Sequence, residues 1–351
     1  MKPSLFLFLT VAITMLWTGC KPSEEPTHQP TPYQMPSPLF FPTVTNIPSD
    51  NPMTEEGVAL GKLLFFDSLL LSTEIKSLRD TPNSSLSCSS CHHPEHSFEY
   101  GPEASPDFLG THHAMLPLIN LAWNTNGFGW NGSVATLEDM VYAAYTDPTE
   151  INADTAEVVK RLQQSDTYPT LFEKAFNTKT ITFILVEKAI AQYVRSLVFC
   201  NSKFDRYLRG ETQLSQDELN GYMLFITEEG ADCFHCHGGG SNALFTTNLF
   251  YNNGLDSEFQ DPNDRFAITH DPADRGAYKA PALRNIALTA PYMHDGRFST
   301  LEEVIDFYSD SVQYSEQVSP LMHHVMQGGV QLTEQEKQQL KAFLNTLTDT
   351  P

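Results

Sequence analysis

Positive charge is scarce in this 351-residue chain, which carries 21 Lys and Arg against 43 Asp and Glu, for a formal net charge of −22. Because binding to phosphate backbones needs clustered positive charge, this balance argues against a nucleic acid partner. Cysteine is also sparse, and six in this length are too few for a fold held together by disulfides. Beyond residue 20 there is no apolar run long enough to cross a membrane. The apolar fraction of 40%, with 23 Phe and 13 Tyr, is nevertheless enough to form substantial cores.

The first twenty residues predict a secretory signal. Lys2 precedes an apolar run over residues 5–17, and Gly19-Cys20 follows it. The Gly-Cys end resembles a bacterial lipobox, so we predict a lipoprotein-type signal over residues 1–19 and a lipid anchor at Cys20; ordinary cleavage with an incidental Cys20 is the alternative. Acyl chains would attach the protein to a membrane without spanning it. The Pro-rich residues 20–48 then predict an extended tether, and the folded part is expected in the periplasm.

Two motifs of the form C-x-x-C-H predict the cofactor. Each supplies two cysteines and a histidine: Cys88, Cys91 and His92 in the first, and Cys233, Cys236 and His237 in the second. In this spacing the thiols add to the vinyl groups of a porphyrin, and the histidine binds the iron. Zinc sites do not require a histidine after each cysteine pair, and disulfides would leave both histidines unexplained. We therefore predict two covalently bound haem c groups, with His92 and His237 as proximal iron ligands.

The chain also repeats itself. Residues 54–65 and 215–225 each predict a helix with a glycine four residues before a final phenylalanine, ahead of a C-x-x-C-H motif. Ser215 and Glu218 predict a capping box at the start of the second of these helices. Farther along, residues 131–141 match residues 295–305 at a constant offset of 164. These matches predict an all-α fold with two tandem cytochrome c-type haem domains, over residues 49–205 and 206–351.

One difference between the copies bears on the chemistry. In the second copy, a helix that begins at a Ser299 or Thr300 cap has an apolar face that includes Tyr308, and the offset of 164 aligns Tyr308 with Ala144. If this face looks toward the iron, Tyr308 closes the second haem, whereas Ala144 leaves the first haem open to a small oxidant. A role as a core aromatic is the alternative for Tyr308, and Tyr142 and Tyr145 are competing phenols in the first copy.

The motifs together resemble the bacterial dihaem cytochrome c peroxidases, and within them the branch similar to MauG. Besides both C-x-x-C-H motifs, the resemblance rests on residues 129–132 (GWNG), Glu150 and residues 290–296 (APYMHDG), and it runs from about residue 45 to 345. It implies that the haem on His92 is the peroxidatic site. The haem on His237 is then the one that receives electrons.

The resemblance further implies individual site residues. Trp130 is expected between the haems, Glu150 as the distal acid and base, and Tyr308 as the second axial ligand of the electron-receiving haem. Calcium between the haems is a family feature, and Thr289 and Pro291 match two of its carbonyl ligands, although the usual Asn ligand is missing here.

For function, the resemblance implies reduction of hydrogen peroxide to water with electrons from a small cytochrome c or cupredoxin, in a protein that is often a homodimer. The alternatives are a MauG-like oxidase that acts on protein side chains and a dihaem electron carrier. His112 or His113 is either a displaceable ligand of the peroxidatic haem, as in some family members, or a solvated loop residue.

Overall fold

The computed structural model describes residues 28–68, 87–102, 113–148 and 150–349, so the predicted signal, Cys20 and His112 lie outside the described residues. Within these ranges the α-helices are α1 (Glu55–Phe66), α2 (Leu137–Thr146), α3 (Thr155–Gln164), α4 (Tyr168–Phe176), α5 (Phe183–Arg195), α6 (Lys203–Leu208), α7 (Gln216–Phe225), α8 (Phe234–His237), α9 (Phe266–Thr269), α10 (Leu301–Asp310) and α11 (Glu334–Asn345). Two short strands, β1 (Phe250–Tyr251) and β2 (Tyr278–Lys279), pair antiparallel. The described chain is thus mostly helical, and none of its helices has the length and apolarity needed to span a membrane.

Helix starts follow the capping signals of the sequence. Ser215 caps α7: its hydroxyl accepts from the Glu218 backbone N–H at 3.3 Å, and the Glu218 carboxylate accepts from the Ser215 N–H at 2.6 Å. Thr300 and Glu303 form the same capping box at the start of α10. Each box satisfies backbone donors that the helix itself leaves unpaired, and a good N-cap contributes about 1 kcal/mol.

Two helix crossings are built in the same way. In the first half α1 packs against α5, and in the second half α7 packs against α11. A β-carbon on Gly61 would lie 1.9 Å from the Ala189 carbonyl oxygen, and one on Gly221 would lie 1.9 Å from the Gln339 carbonyl oxygen. Glycine is therefore required at both crossings, because any side chain would push the paired backbones apart.

The predicted repeat is present in the backbone. Asn120 and Asn285 both have φ of 58° and both precede a short 3₁₀ turn. Isolated bridges join residues 128 and 134 in the first half and residues 292 and 298 in the second, which are 164 residues apart. Helices α2 and α10 keep the same offset.

The described residues divide between two large hydrophobic cores. One gathers residues from Leu60 to Phe199, and the other gathers residues from Phe204 to Leu347. The change of core therefore falls just before the predicted boundary at residue 205. Cys88 of the first C-x-x-C-H motif packs against the first core, and Cys233 of the second motif packs against the second core.

The tether prediction is wrong for residues 28–48, which pack on the folded body. The Phe41 ring lies edge-on to Trp123 with centroids 5.0 Å apart. The backbone N–H of Tyr33 donates to the Met53 carbonyl at 3.0 Å, and the Asn46 amide donates to carbonyls of the first half. Proline-rich composition signals an extended backbone, but the aromatic residues within it bury apolar surface once a groove accepts them.

Candidate functional site

The first C-x-x-C-H motif begins with the 3₁₀ turn Cys88–Ser90, which Cys91 and His92 follow. Nδ1 of His92 lies 2.7 Å from the Phe98 carbonyl oxygen, and since a carbonyl only accepts, Nδ1 carries the proton. Nε2 is then the nitrogen left for a metal. Burial lowers the pKa of His92 to about 4, so its imidazole is neutral and able to bind iron.

The second motif repeats this arrangement on the short helix α8. Nδ1 of His237 lies 3.1 Å from the Pro281 carbonyl oxygen, and burial lowers the pKa of His237 to about 4. The cysteines of both motifs are free thiols, and burial raises the pKa of each. Neutral thiols and a neutral imidazole with a free Nε2 fit covalent attachment and axial ligation of a haem c.

A cavity of about 220 Å³ opens beside the second motif. Cys233, Cys236 and His237 line it on one side. The face of α10 predicted from the sequence also lines it, through Leu301, Val304, Ile305 and Tyr308. The cavity is mostly apolar, as a porphyrin ring requires, and the phenol is brought to the same cavity as the proximal histidine.

Tyr308 lines the cavity and has a hydrogen-bonded hydroxyl. Its hydroxyl oxygen accepts a hydrogen bond from the Asn253 amide at 2.9 Å, and burial is the main cause that raises its pKa. The Met293 sulfur lies 3.7 Å from the same amide nitrogen and lines the same cavity. Asn253 therefore holds the phenol at the cavity wall, and the sequence carries no signal for this role beyond an Asn-Asn-Gly turn.

In the first half, the two tyrosines beside Ala144 that could also offer a phenol differ in burial. Tyr142 is exposed, whereas Tyr145 is buried. Tyr145 belongs to the hydrophobic core against which Cys88 packs, so its ring lies near the attachment side of the first motif. Ala144, the counterpart of Tyr308, is a partly buried residue that offers only a methyl group.

Glu150 lies in the turn after α2, and its backbone N–H donates to the Asp147 carbonyl at 3.1 Å. The residue is exposed. Desolvation by the surrounding protein is nevertheless the main cause that raises the pKa of its carboxyl, and the negative charge of Asp147 raises this pKa further. Its charge in turn raises the pKa of Cys91. The carboxyl is thus within electrostatic reach of the first C-x-x-C-H motif, and its role as the distal acid and base stays a prediction.

Trp130 lines the cavity of the second motif, and its indole N–H donates to the Ala114 carbonyl at 2.7 Å. The ring of His294 lies edge-on to Trp130, with centroids 6.5 Å apart, and stacks on Tyr278 at 3.7 Å. The Tyr278 hydroxyl donates to Asp261 at 2.5 Å. A continuous aromatic and hydrogen-bonded chain therefore runs from Trp130 to Asp261. Neither Tyr278 nor Asp261 lies in a motif that marks it from the sequence.

The remaining predicted residues lie near this chain. His113 Nε2 lies 2.6 Å from the Asp261 carboxylate, so the structure places this histidine in the Tyr278–Asp261 network. Thr289 and Pro291 both line the cavity. Their carbonyls as calcium ligands stay a prediction.

Known proteins include relatives of this chain. The family model of the di-haem cytochrome c peroxidases matches residues 55–213. The chain is 34% identical to the methylamine utilization protein MauG of Methylorubrum extorquens over 308 residues, 87% of this chain and 81% of that protein. It is 31% identical to the cytochrome c551 peroxidase of Nitrosomonas europaea over 272 residues, 73% of each chain.

Solved structures show the same likeness. A MauG-like protein associated with microbial copper homeostasis superposes with a TM-score of 0.78 and 36% identity, over 90% of this chain and 96% of that one. The diheme peroxidase BthA of Burkholderia thailandensis shares the fold at a TM-score of 0.66 and 20% identity, over 85% of this chain and 87% of that one. The chain therefore belongs to the dihaem cytochrome c peroxidase family, oxidoreductases with peroxidase-type activity, and within it to the MauG-like branch.

Proposed function

We propose that this protein reduces hydrogen peroxide to water in the periplasm, with electrons from a small cytochrome c or cupredoxin, while a lipid at Cys20 attaches it to a membrane. The observation that carries the proposal is the asymmetry between the two motifs. The first has a carboxyl of raised pKa, Glu150, beside it, whereas the second has the phenol of Tyr308 in its cavity.

Two sets of residues would hold the haems: Cys88, Cys91 and His92 for one, and Cys233, Cys236 and His237 for the other. When bound, the haem groups supply the iron that takes up a peroxide oxygen and the electrons that reduce it. The chain's own contribution is to leave one site open, to close the other and to manage the protons.

Glu150 manages those protons in this proposal. Cleavage of the peroxide O–O bond is aided by a base that removes the proton from one oxygen and returns it to the other. A carboxyl whose pKa is raised can do both more readily than an ordinary carboxyl, because it holds the proton better between the two steps. Desolvation and the charge of Asp147 raise the pKa of Glu150 in this direction, and its access to water gives the product a way out.

In this proposal Tyr308 and His237 would together hold the iron of the second haem, and Tyr308 would so close that site. A phenolate is a harder and more anionic donor than a thioether, so it favours ferric iron and lowers the haem potential. The hydrogen bond from Asn253 at 2.9 Å stabilises the phenolate over the phenol. Trp130, between Ala114 and His294, offers an aromatic ring through which charge can pass between the two halves.

Replacing Glu150 tests the peroxidase proposal. Glu150→Gln keeps the size of the side chain and removes its acid–base function, so we expect peroxide turnover to fall about a hundredfold or more with both haem spectra unchanged. Glu173→Gln, at an exposed position of α4, should leave turnover as it is. Full activity in Glu150→Gln would remove this carboxyl from the mechanism.

A second candidate is a MauG-like oxidase, in which the form of this protein that peroxide has oxidised goes on to oxidise side chains of a partner protein. Tyr308 is the observation that favours it, because an anionic ligand stabilises the oxidised protein. Stopped-flow mixing with peroxide and a reduced donor separates the two. Rapid oxidation of the donor supports the peroxidase, and a long-lived oxidised form that the donor does not discharge supports the oxidase. A simple electron carrier would not react with peroxide at all.

A further inference from the structure

Two histidines and an aspartate cluster at the rim of the second C-x-x-C-H motif. Asp232 precedes Cys233, His235 stands between the two cysteines, and His323 comes from a loop 91 residues after Asp232. One ligand atom from each of the three lies within 4.8 Å of the others. Two carboxylate oxygens face two ring nitrogens: Asp232 Oδ1 lies 2.7 Å from His235 Nδ1, and Oδ2 lies 3.1 Å from His323 Nδ1.

These separations are close to those of a metal site. An ion bound about 2.0–2.2 Å from each ligand holds neighbouring ligand atoms about 3–3.5 Å apart. The rings of His235 and His323 are nearly perpendicular, at 85° with centroids 5.2 Å apart. They therefore converge on the carboxylate from two directions and do not stack, so only small shifts are needed to admit an ion.

Burial and charge fit the same interpretation. The Asp232 side chain is 6% exposed, whereas those of His235 and His323 are 21% and 40% exposed. An ion can thus reach the site from solvent and keep a water ligand, while the carboxylate anchors it from inside. The Glu228 carboxylate lies 3.6 Å from His235 Nε2, where it adds negative charge and can orient this ring.

Both loops are held in place by backbone contacts. Asp232 takes a left-handed φ of 56°, and its N–H donates to the Thr227 carbonyl at 3.2 Å. His324 Nε2 lies 3.2 Å from the Glu228 carbonyl, which ties the two loops together beside the cluster. The three side chains are therefore positioned before any ion binds.

We propose that Asp232, His235 and His323 form a binding site for a divalent first-row transition metal ion, Zn²⁺ or Cu²⁺. Two imidazoles and one carboxylate suit these ions, whereas Ca²⁺ and Mg²⁺ prefer sites made of oxygen ligands alone. The site does not include His237, although Asp232 and His323 line the same cavity as that histidine. Because Met322 and Val325 of the same loop line that cavity, a bound ion links a cavity wall to the haem-attachment turn.

Calorimetric titration with Zn²⁺ tests the site. The full protein with its haems, purified without a histidine tag and freed of metal with EDTA, is expected to bind one Zn²⁺ per chain at this site. His323→Ala lies outside the C-x-x-C-H motif and should weaken binding about tenfold or more, since even residues that only orient a ligand have effects of this size. His28→Ala, at an exposed histidine outside the cluster, should leave the affinity unchanged.

Asp232→Asn is a second variant, which preserves the shape of the cluster and removes its charge, and it should also weaken binding. Haem content measured in each variant shows whether the attachment turn is intact. Zinc absorption spectra should report two imidazole ligands. Absence of Zn²⁺ binding, or equal binding by His323→Ala and the unaltered protein, would mean that the cluster is only a hydrogen-bonded surface group. Neither result depends on peroxide turnover, so the site stands or falls separately from the proposed function.

Discussion

Glu99 is a carboxyl in an environment that resists its charge. The residue is 1% exposed, and its Oε2 accepts a hydrogen bond from the Gly101 N–H at 2.7 Å. Among the described residues no donor reaches Oε1. Burial is the main cause that raises the pKa of Glu99 to about 7 from an ordinary value of 4.5.

This shift makes the stability of the fold depend on pH. In the unfolded chain the carboxyl loses its proton near pH 4.5, whereas the folded protein keeps it up to about pH 7. Between these values the folded state binds more protons than the unfolded state, so stability falls as the pH rises and levels off above pH 7. From pH 5 to pH 8 the loss amounts to roughly 2–3 kcal/mol.

Glu99→Gln should remove this loss, because an amide stays neutral at every pH. We expect the variant to gain roughly 2–3 kcal/mol relative to the unaltered protein between pH 5 and pH 8, measured as the difference in free energy of unfolding in guanidinium. Groups common to both proteins, including the haem histidines, cancel in this comparison. Glu229→Gln, at an exposed position, is the control and should give the same difference at both pH values. A difference that does not change with pH for Glu99→Gln would refute the reasoning.

Two further predictions follow from packing and hydrogen bonding. Gly221→Ala should lower the free energy of unfolding by about 1–3 kcal/mol or more, as is typical of overpacking, because the new methyl meets a backbone carbonyl at 1.9 Å. Asn220→Ala on the same helix is the control and should lower it by less than about 1 kcal/mol. Equal losses in the two variants would contradict the close helix crossing. Asn253→Ala should lower the midpoint potential of the haem held by His237, since a phenolate at Tyr308 without its hydrogen bond is a stronger donor to ferric iron. An unchanged potential would remove Asn253 from this role.

The sequence was informative where chemistry is local. The C-x-x-C-H spacing, the caps at Ser215 and Thr300 and the offset of 164 each depend on residues a few positions apart or on an exact repeat, and the structure has the helices and the matching turns where they were expected. The face that carries Tyr308 was also predictable, because helical periodicity alone decides which side chains share a side.

Contacts between distant segments were not predictable. Asn253 reaches Tyr308 across 55 residues, and the Asp261–Tyr278 bond brings together two loops of ordinary composition. Nothing in the local pattern of Glu99 separates it from a surface carboxylate, because its burial depends on how the two halves pack. The packing of residues 28–48 was missed for the same reason, since the groove that receives Phe41 is formed by residues far along the chain.

Electron paramagnetic resonance of the ferric protein tests the central claim, that one half leaves its metal open and the other closes it. We expect one high-spin signal, from the haem held by His92, and one low-spin signal, from the haem held by His237. In Tyr308→Phe the low-spin signal should be lost, because that haem loses a ligand, while the high-spin signal of the His92 haem remains. Two low-spin signals in the unaltered protein, with no response to peroxide, would contradict the account.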